Sequence, residues 1–108
     1  MINQQILPED DKNLIGDDVY RLRLFVTGVT PNSTRAIANL KEICETYLAG
    51  KYDLEIIDVY QQPLIAESEQ IIALPLLIKK SPMPQRRLIG DMSDTGKVLR
   101  GLNLPATK

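Results

Sequence analysis

The chain has 108 residues, 44% hydrophobic and 25% charged, with 13 basic and 14 acidic side chains. That length suits about one domain and buries enough surface for a single core without cross-links. A single cysteine, Cys44, and no histidine exclude an internal disulfide, a Cys–His or Ser–His–Asp catalytic set, a histidine pH switch and a structural zinc site.

No apolar run reaches the ~18 residues of a membrane helix. The first twenty residues lack the basic start and apolar stretch of a secretion signal. The expectation is a soluble cytoplasmic domain without metal or cofactor. Charge is unevenly placed. Residues 1–19 hold Glu9, Asp10, Asp11, Asp17 and Asp18 against Lys12, a net −4, and residues 20–108 a net +3. A +3 body lacks the basic stripe of a nucleic-acid binder. Residues 1–19 follow neither period and read as an acidic N-terminal arm. The competing reading docks Ile6, Leu7, Leu14 and Ile15 as a short strand.

Residues 20–27 (YRLRLFVT) alternate at the charged end and turn fully apolar, the pattern of a strand entering a core. Gly28 stops it. Thr30 reads as an N-cap and Pro31 as the first helical residue. Ile37, Leu40, Ile43, Cys44, Tyr47 and Leu48 form an apolar stripe, so the spacing predicts a helix over 31–49. Gly50 suits its end. Residues 52–60 read as a second strand. Strand, helix and strand make a right-handed βαβ unit with a parallel pair.

Residues 63–72 read as a second helix, opened by Pro63, with Glu67 and Glu69 facing solvent. Residues 76–80 and 86–90 read as short strands joined by the Pro82–Pro84 turn, an antiparallel hairpin. Asp91 or Ser93 is expected to cap a last helix carrying Val98, Leu99 and Leu102, weakened by Gly96 and Gly101. The predicted order is βαβαββα: a thioredoxin-like α/β domain with a four-stranded mixed sheet and three helices over residues 20–104, then a short tail at 105–108.

The strings Leu24-Phe25-Val26-Thr27-Gly28-Val29-Thr30-Pro31-Asn32-Ser33, Arg35-Ala36, Ile57-Asp58-Val59, Ala73-Leu74-Pro75, Pro84-Gln85-Arg86-Arg87 and Leu88-Ile89-Gly90-Asp91-Met92-Ser93 resemble the KaiB family of clock-associated proteins. The likeness covers about residues 20–104. It implies a protein that switches fold between a tetramer of βαββααβ order and a thioredoxin-like monomer. The monomer binds the N-terminal ring of the RecA-type ATPase KaiC, modulates its phosphorylation, and recruits or displaces KaiA and histidine kinases. The sensory domain of the SasA kinase is a relative that stays thioredoxin-like. Three departures stand out. Only Pro105-Ala106-Thr107-Lys108 follows Gly101-Leu102-Asn103-Leu104, where the family carries an acidic tail. Glu55 replaces a basic residue, and the triple-proline turn is reduced to Pro82-Met83-Pro84. The tail belongs to the packing of the tetramer, and Pro82 and Pro84 disfavour a helix there, so a monomer is expected.

Thr30–Ser33 occupies the loop where thioredoxins carry their cysteine pair, and serine and threonine cannot supply a thiolate. Cys44, on the apolar stripe, reads as a buried structural thiol. A monothiol enzyme using Cys44 is the rival from another class. A non-switching adaptor related to the SasA domain is the other rival. Lys79, Lys80, Arg86 and Arg87 end the hairpin strands and read either as an acidic partner's docking surface or as a solvated tip that blocks edge pairing. The resemblance favours docking, and adds Arg35 and the strand-two position Glu55. It also implies a cis Leu74–Pro75 bond and a switch point at Pro75, Gly90 and Asp91.

Overall fold

The computed structural model describes residues 19–71 and 73–104. The element order is β1 (Tyr20–Val26), α1 (Pro31–Tyr47), β2 (Tyr52–Asp58), α2 (Pro63–Ser68), β3 (Leu76–Ser81), β4 (Arg86–Ile89) and α3 (Thr95–Gly101). The sheet runs β2-β1-β3-β4. β1 and β2 are parallel, and both the β1–β3 and β3–β4 pairs are antiparallel. This is the thioredoxin-like order predicted from the sequence. The expectations for residues 1–18 and 105–108 lie outside the described residues.

The period of two sorts β1 between two cores. Leu22, Leu24 and Val26 meet Ala36, Leu40, Ile43, Cys44 and Leu48 of the α1 segment and Val98, Leu99 and Leu102 of the α3 segment. Phe25 points the other way, with Ile57, Leu76 and Ile78, under the partly buried Ile65 and Ile71 of the α2 region. No residue of α2 itself is buried.

Local chemistry sets the boundaries. The Thr30 side chain accepts from the Ser33 amide at 3.1 Å and starts α1, with Pro31 in its first turn. The second helix stops at Ser68 rather than at 72. Gln70 adopts φ +56, its amide bonds Glu67 O, and the Ile71 amide bonds Ala66 O. This double bond is a Schellman ending with glutamine where glycine is usual, so no residue type announced it. α3 ends the same way through Asn103 at φ +65, with Asn103 N bonded to Arg100 O and Leu104 N to Leu99 O. Its N-cap is Asp94, which accepts from the Lys97 amide at 3.1 Å, not Asp91 or Ser93. Asp91 turns back toward Ser93 and Arg35 instead. Gly101 does more than weaken α3. A Cβ there would overlap the Leu88 side chain, so the glycine lets the helix close on β4. The Leu74–Pro75 bond is cis as expected, and Ser81–Pro82 and Met83–Pro84 are cis too. No helix among the described residues is long and apolar enough to cross a membrane.

Candidate functional site

The loop before α1 holds hydroxyls that are already committed. Ser33 Oγ, buried, accepts from the Thr27 amide at 3.1 Å, and Thr30 caps the helix. Cys44 is buried in the larger core, where burial and then the Glu45 charge push its thiol up to about 12. An activated nucleophile needs the opposite shift.

The two ends of the sheet carry two separate groups. Where β1 ends, Gly90 N donates to Pro75 O at 3.0 Å, which ties the residue before β3 to the one after β4. Gly90 stands at φ +128, a backbone that side chains rarely adopt. The next residue, Asp91, receives Arg35 Nε at 3.3 Å, and Asn39 Nδ2 donates to its carbonyl at 3.0 Å. Arg35 also bonds Asn32 Oδ1. Hydrogen bonds from Ser93, then from Arg35, hold the Asp91 carboxyl below its usual range. Pro75, Gly90, Asp91 and Arg35 therefore form one linked group joining β3, β4 and α1.

Toward the start of β1, the α2 face becomes ionic. Glu55, Arg23, Ile78 and Arg87 form one row across all four strands. Arg23 Nε lies 3.3 Å from Glu55, and Arg21 lies 3.5 Å from Asp53 in the next row. Glu69, only 15% exposed at its side chain, receives Lys80 Nζ at 2.7 Å and Arg23 at 3.3 Å, with Arg87 at 3.6 Å. Arg87 also donates to the Glu69 carbonyl at 2.6 Å. The Lys80 hydrogen bond, then the charges of Lys80, Arg23 and Arg87, hold the Glu69 carboxyl below its ordinary 4.5 against an opposing effect of burial. A groove of about 520 Å³ opens beside this network between Arg21, Arg23, Asp53, Glu55 and Lys80.

The KaiB domain model matches residues 23–104. The chain belongs to the KaiB family. It is 50% identical over 91 residues to the circadian clock oscillator protein KaiB of Prochlorococcus marinus subsp. pastoris, covering 84% of this chain and 85% of that one. It is 52% identical over 85 residues to the KaiB of Synechococcus elongatus, covering 79% and 83%. Among solved structures it is similar to the N-terminal domain of Synechococcus elongatus SasA, with TM-score 0.65 and 23% identity over 100% of this chain and 97% of that one. Chloroplastic thioredoxin z gives TM-score 0.65 at 17% identity, covering 91% of each chain. These two likenesses are of fold.

The KaiB-family chain does not gather its hairpin cations into one patch. Adjacent strand residues face opposite ways, so Lys80 and Arg87 join the α2 face while Lys79 pairs across the ladder with Arg86 on the other. Lys79 is corrected most. Its side chain is 1% exposed, covered at the edge of the larger core, and it presents no surface to a partner. Arg35 is also separated from the hairpin, at the opposite end of β1. Glu69, read from the sequence as facing solvent, is instead the hub of the network. The alternation of Arg21 and Arg23 with Leu22 and Leu24 already placed both arginines on the Phe25 face. Nothing local signalled Glu69, because the turn at Gln70 aims it.

Proposed function

We propose that this KaiB-family chain is a non-enzymatic clock or regulatory protein that docks on the N-terminal ring of a KaiC-type RecA-fold ATPase. In this reading it modulates the ATPase's phosphorylation state and partner recruitment, with KaiA or histidine kinases as further partners of the complex. It works as a cytoplasmic, thioredoxin-like monomer. The observation that carries the reading is the set of exposed charges at the hairpin end of the sheet, Glu55 and Arg87 on the α2 face and Arg86 on the other, on a chain half identical to proteins named for the clock. Charged rims steer association and fix register. Arg35 supplies a second contact at the far end of the sheet. The buried, raised Cys44 thiol argues against the monothiol reading.

The test uses the full chain and a purified KaiC-type ATPase. Arg86→Glu breaks no ion pair among the described residues. It is expected to weaken binding by about tenfold, with far-UV circular dichroism preserved. Affinity is expected to fall with salt, since the Debye length is about 8 Å at physiological strength. Unchanged affinity would make the hairpin a solvated tip and sink the reading. Cys44→Ser is expected to keep binding, and the wild type to leave insulin unreduced.

The linked group Pro75, Gly90, Asp91 and Arg35 supports a switch point, because a change of partner for β3 and β4 must break Gly90–Pro75 and Arg35–Asp91. The second reading is a non-switching adaptor, favoured by the full-length likeness to the SasA domain. One set of amide signals across concentration and temperature would select it. Two slowly exchanging sets, or a tetrameric second state, would select switching.

A further inference from the structure

The outer edge of β4 is open. In the β3–β4 ladder Leu76 pairs with Ile89 and Leu77 with Leu88. One step further, Gly90 N donates to Pro75 O. Opposed residues of an antiparallel ladder alternate between bonded and non-bonded pairs. Leu88 and Arg86 therefore turn their main-chain groups toward β3, as Gly90 does, while Arg87 and Ile89 turn theirs outward. Among the described residues no hydrogen bond outside the ladder uses those outward amides or carbonyls. Such an edge is a template for another strand.

The two sides of this edge differ. Arg87 and Ile89 lie on the α2 face, and Ile89 is 55% exposed. Arg86 and Leu88 lie on the α3 face, where Leu88 packs on the larger core. A groove of about 300 Å³ at the edge is lined by Ala73, Leu76, Leu88 and Ile89, with Arg87 and Lys97. Glu69 already pairs with Arg87. Arg86 and Lys97, both exposed, have no ion pair among the described residues. Arg86 also repels the buried Lys79 across the ladder. The α2 side thus offers apolar surface, and the α3 side offers unmatched cations.

We propose that the open edge of β4 takes an added strand from a partner, a segment in which apolar and acidic residues alternate. Its main chain bonds the outward groups of Arg87 and Ile89. Its apolar side chains cover Ile89 and the stem of Arg87. Its carboxylates meet Arg86 and Lys97 on the other face. Alternation delivers both sets from one strand. A second copy of the chain offers no such strand. Its own open edge, β2, has Asp53 and Glu55 already paired with Arg21 and Arg23, and β4 against β4 would gather four arginines at one seam. The proposal deepens the docking reading above and rests on it only for the identity of the partner.

The experiment titrates the isotope-labelled full chain with a short capped peptide of alternating valine and glutamate. The amide signals of Arg87 and Ile89 are expected to shift and to exchange more slowly with solvent. Lys97→Glu is expected to weaken binding by about tenfold. Two further peptides separate strand pairing from charge alone, one N-methylated at every valine and one at every glutamate. Only one edge of the added strand faces β4, so one of the two is expected to bind about tenfold more weakly and the other like the parent. Equal affinities of the two would overturn the proposal, as would equal binding of a peptide with lysine in place of glutamate. The same shifts appearing with chain concentration alone would overturn it in favour of a second copy. Weaker ATPase binding by Arg86→Glu, with no peptide at the edge, would overturn the added strand and leave the docking reading. Peptide at the edge with unchanged ATPase affinity would do the reverse.

Discussion

On one face of the sheet, Leu22, Leu24, Val26 and Leu77 lie under two helices, α1 and α3, in layers that are apolar except where Lys79 and Arg86 pair at the hairpin end. On the other, a small cluster of Phe25, Ile57, Leu76 and Ile78 gives way within one row to Arg23, Glu55 and Arg87, under a short helix with no buried residue. The first face is held by non-directional burial, which salt and pH barely touch. The second is anchored largely through one carboxylate, Glu69, and surface ion pairs are individually worth about 0–1 kcal/mol. The apolar face carries the fold, and in the function proposed above the ionic face exchanges its weak pairs for a partner's charges.

The comparison breaks first under truncation. Leu40→Ala, in the α1 face, is expected to cost about 3 kcal/mol, in the range for a fully buried leucine. Ile65→Ala, under α2, is expected to cost about 1 kcal/mol, because Ile65 is only partly buried. Urea unfolding of both variants checks this, and equal losses would mean the faces share the load.

Gly101 gives the next largest effect, and opposite rules compete there. Helix propensity alone favours alanine by about 1 kcal/mol. A Cβ at 101 would overlap the Leu88 side chain, so overpacking wins, and Gly101→Ala is expected to destabilise by about 1–3 kcal/mol. Adding Leu88→Ala should remove most of that penalty. A stabilised single variant would show that α3 does not close on β4.

Much of the fold was legible in the sequence. The alternation in 20–27, the stripe from Ile37 to Leu48 and the Thr30–Pro31 start each gave an element of the right type and nearly the right bounds. Helix ends were illegible where Gln70 and Asn103 took the position that usually announces itself as glycine. The site was legible only in part. Charge runs in 79–80 and 86–87 located the hairpin cations, but the ladder divides neighbours between faces, and only pairing registers show that Lys79 turns inward. Glu69 and its three cations come from β1, β3, β4 and the end of α2, so no local pattern could assemble them.

A smaller effect sharpens the ionic side. Glu69→Gln is expected to cost about 1 kcal/mol at low salt, and the loss should shrink near 1 M salt, where the Debye length is about 3 Å. Because the folded-state carboxyl titrates below its ordinary 4.5, the stabilisation is full above that pH and is lost as pH falls through the lowered value. The gap between wild type and Glu69→Gln should therefore be flat near neutrality and close in acid. A gap that persists in acid would remove Glu69 from the charge network.

Glu55, Arg23 and Arg87 stand in one row only while the chain holds the thioredoxin-like arrangement in solution. Backbone chemical shifts, with mass by light scattering on the same sample, test this most directly. The expected result is strand at 76–81 and 86–89, helix at 95–101, and a monomer. Helix through 78–88, strand at 94–100 and a tetramer would contradict it.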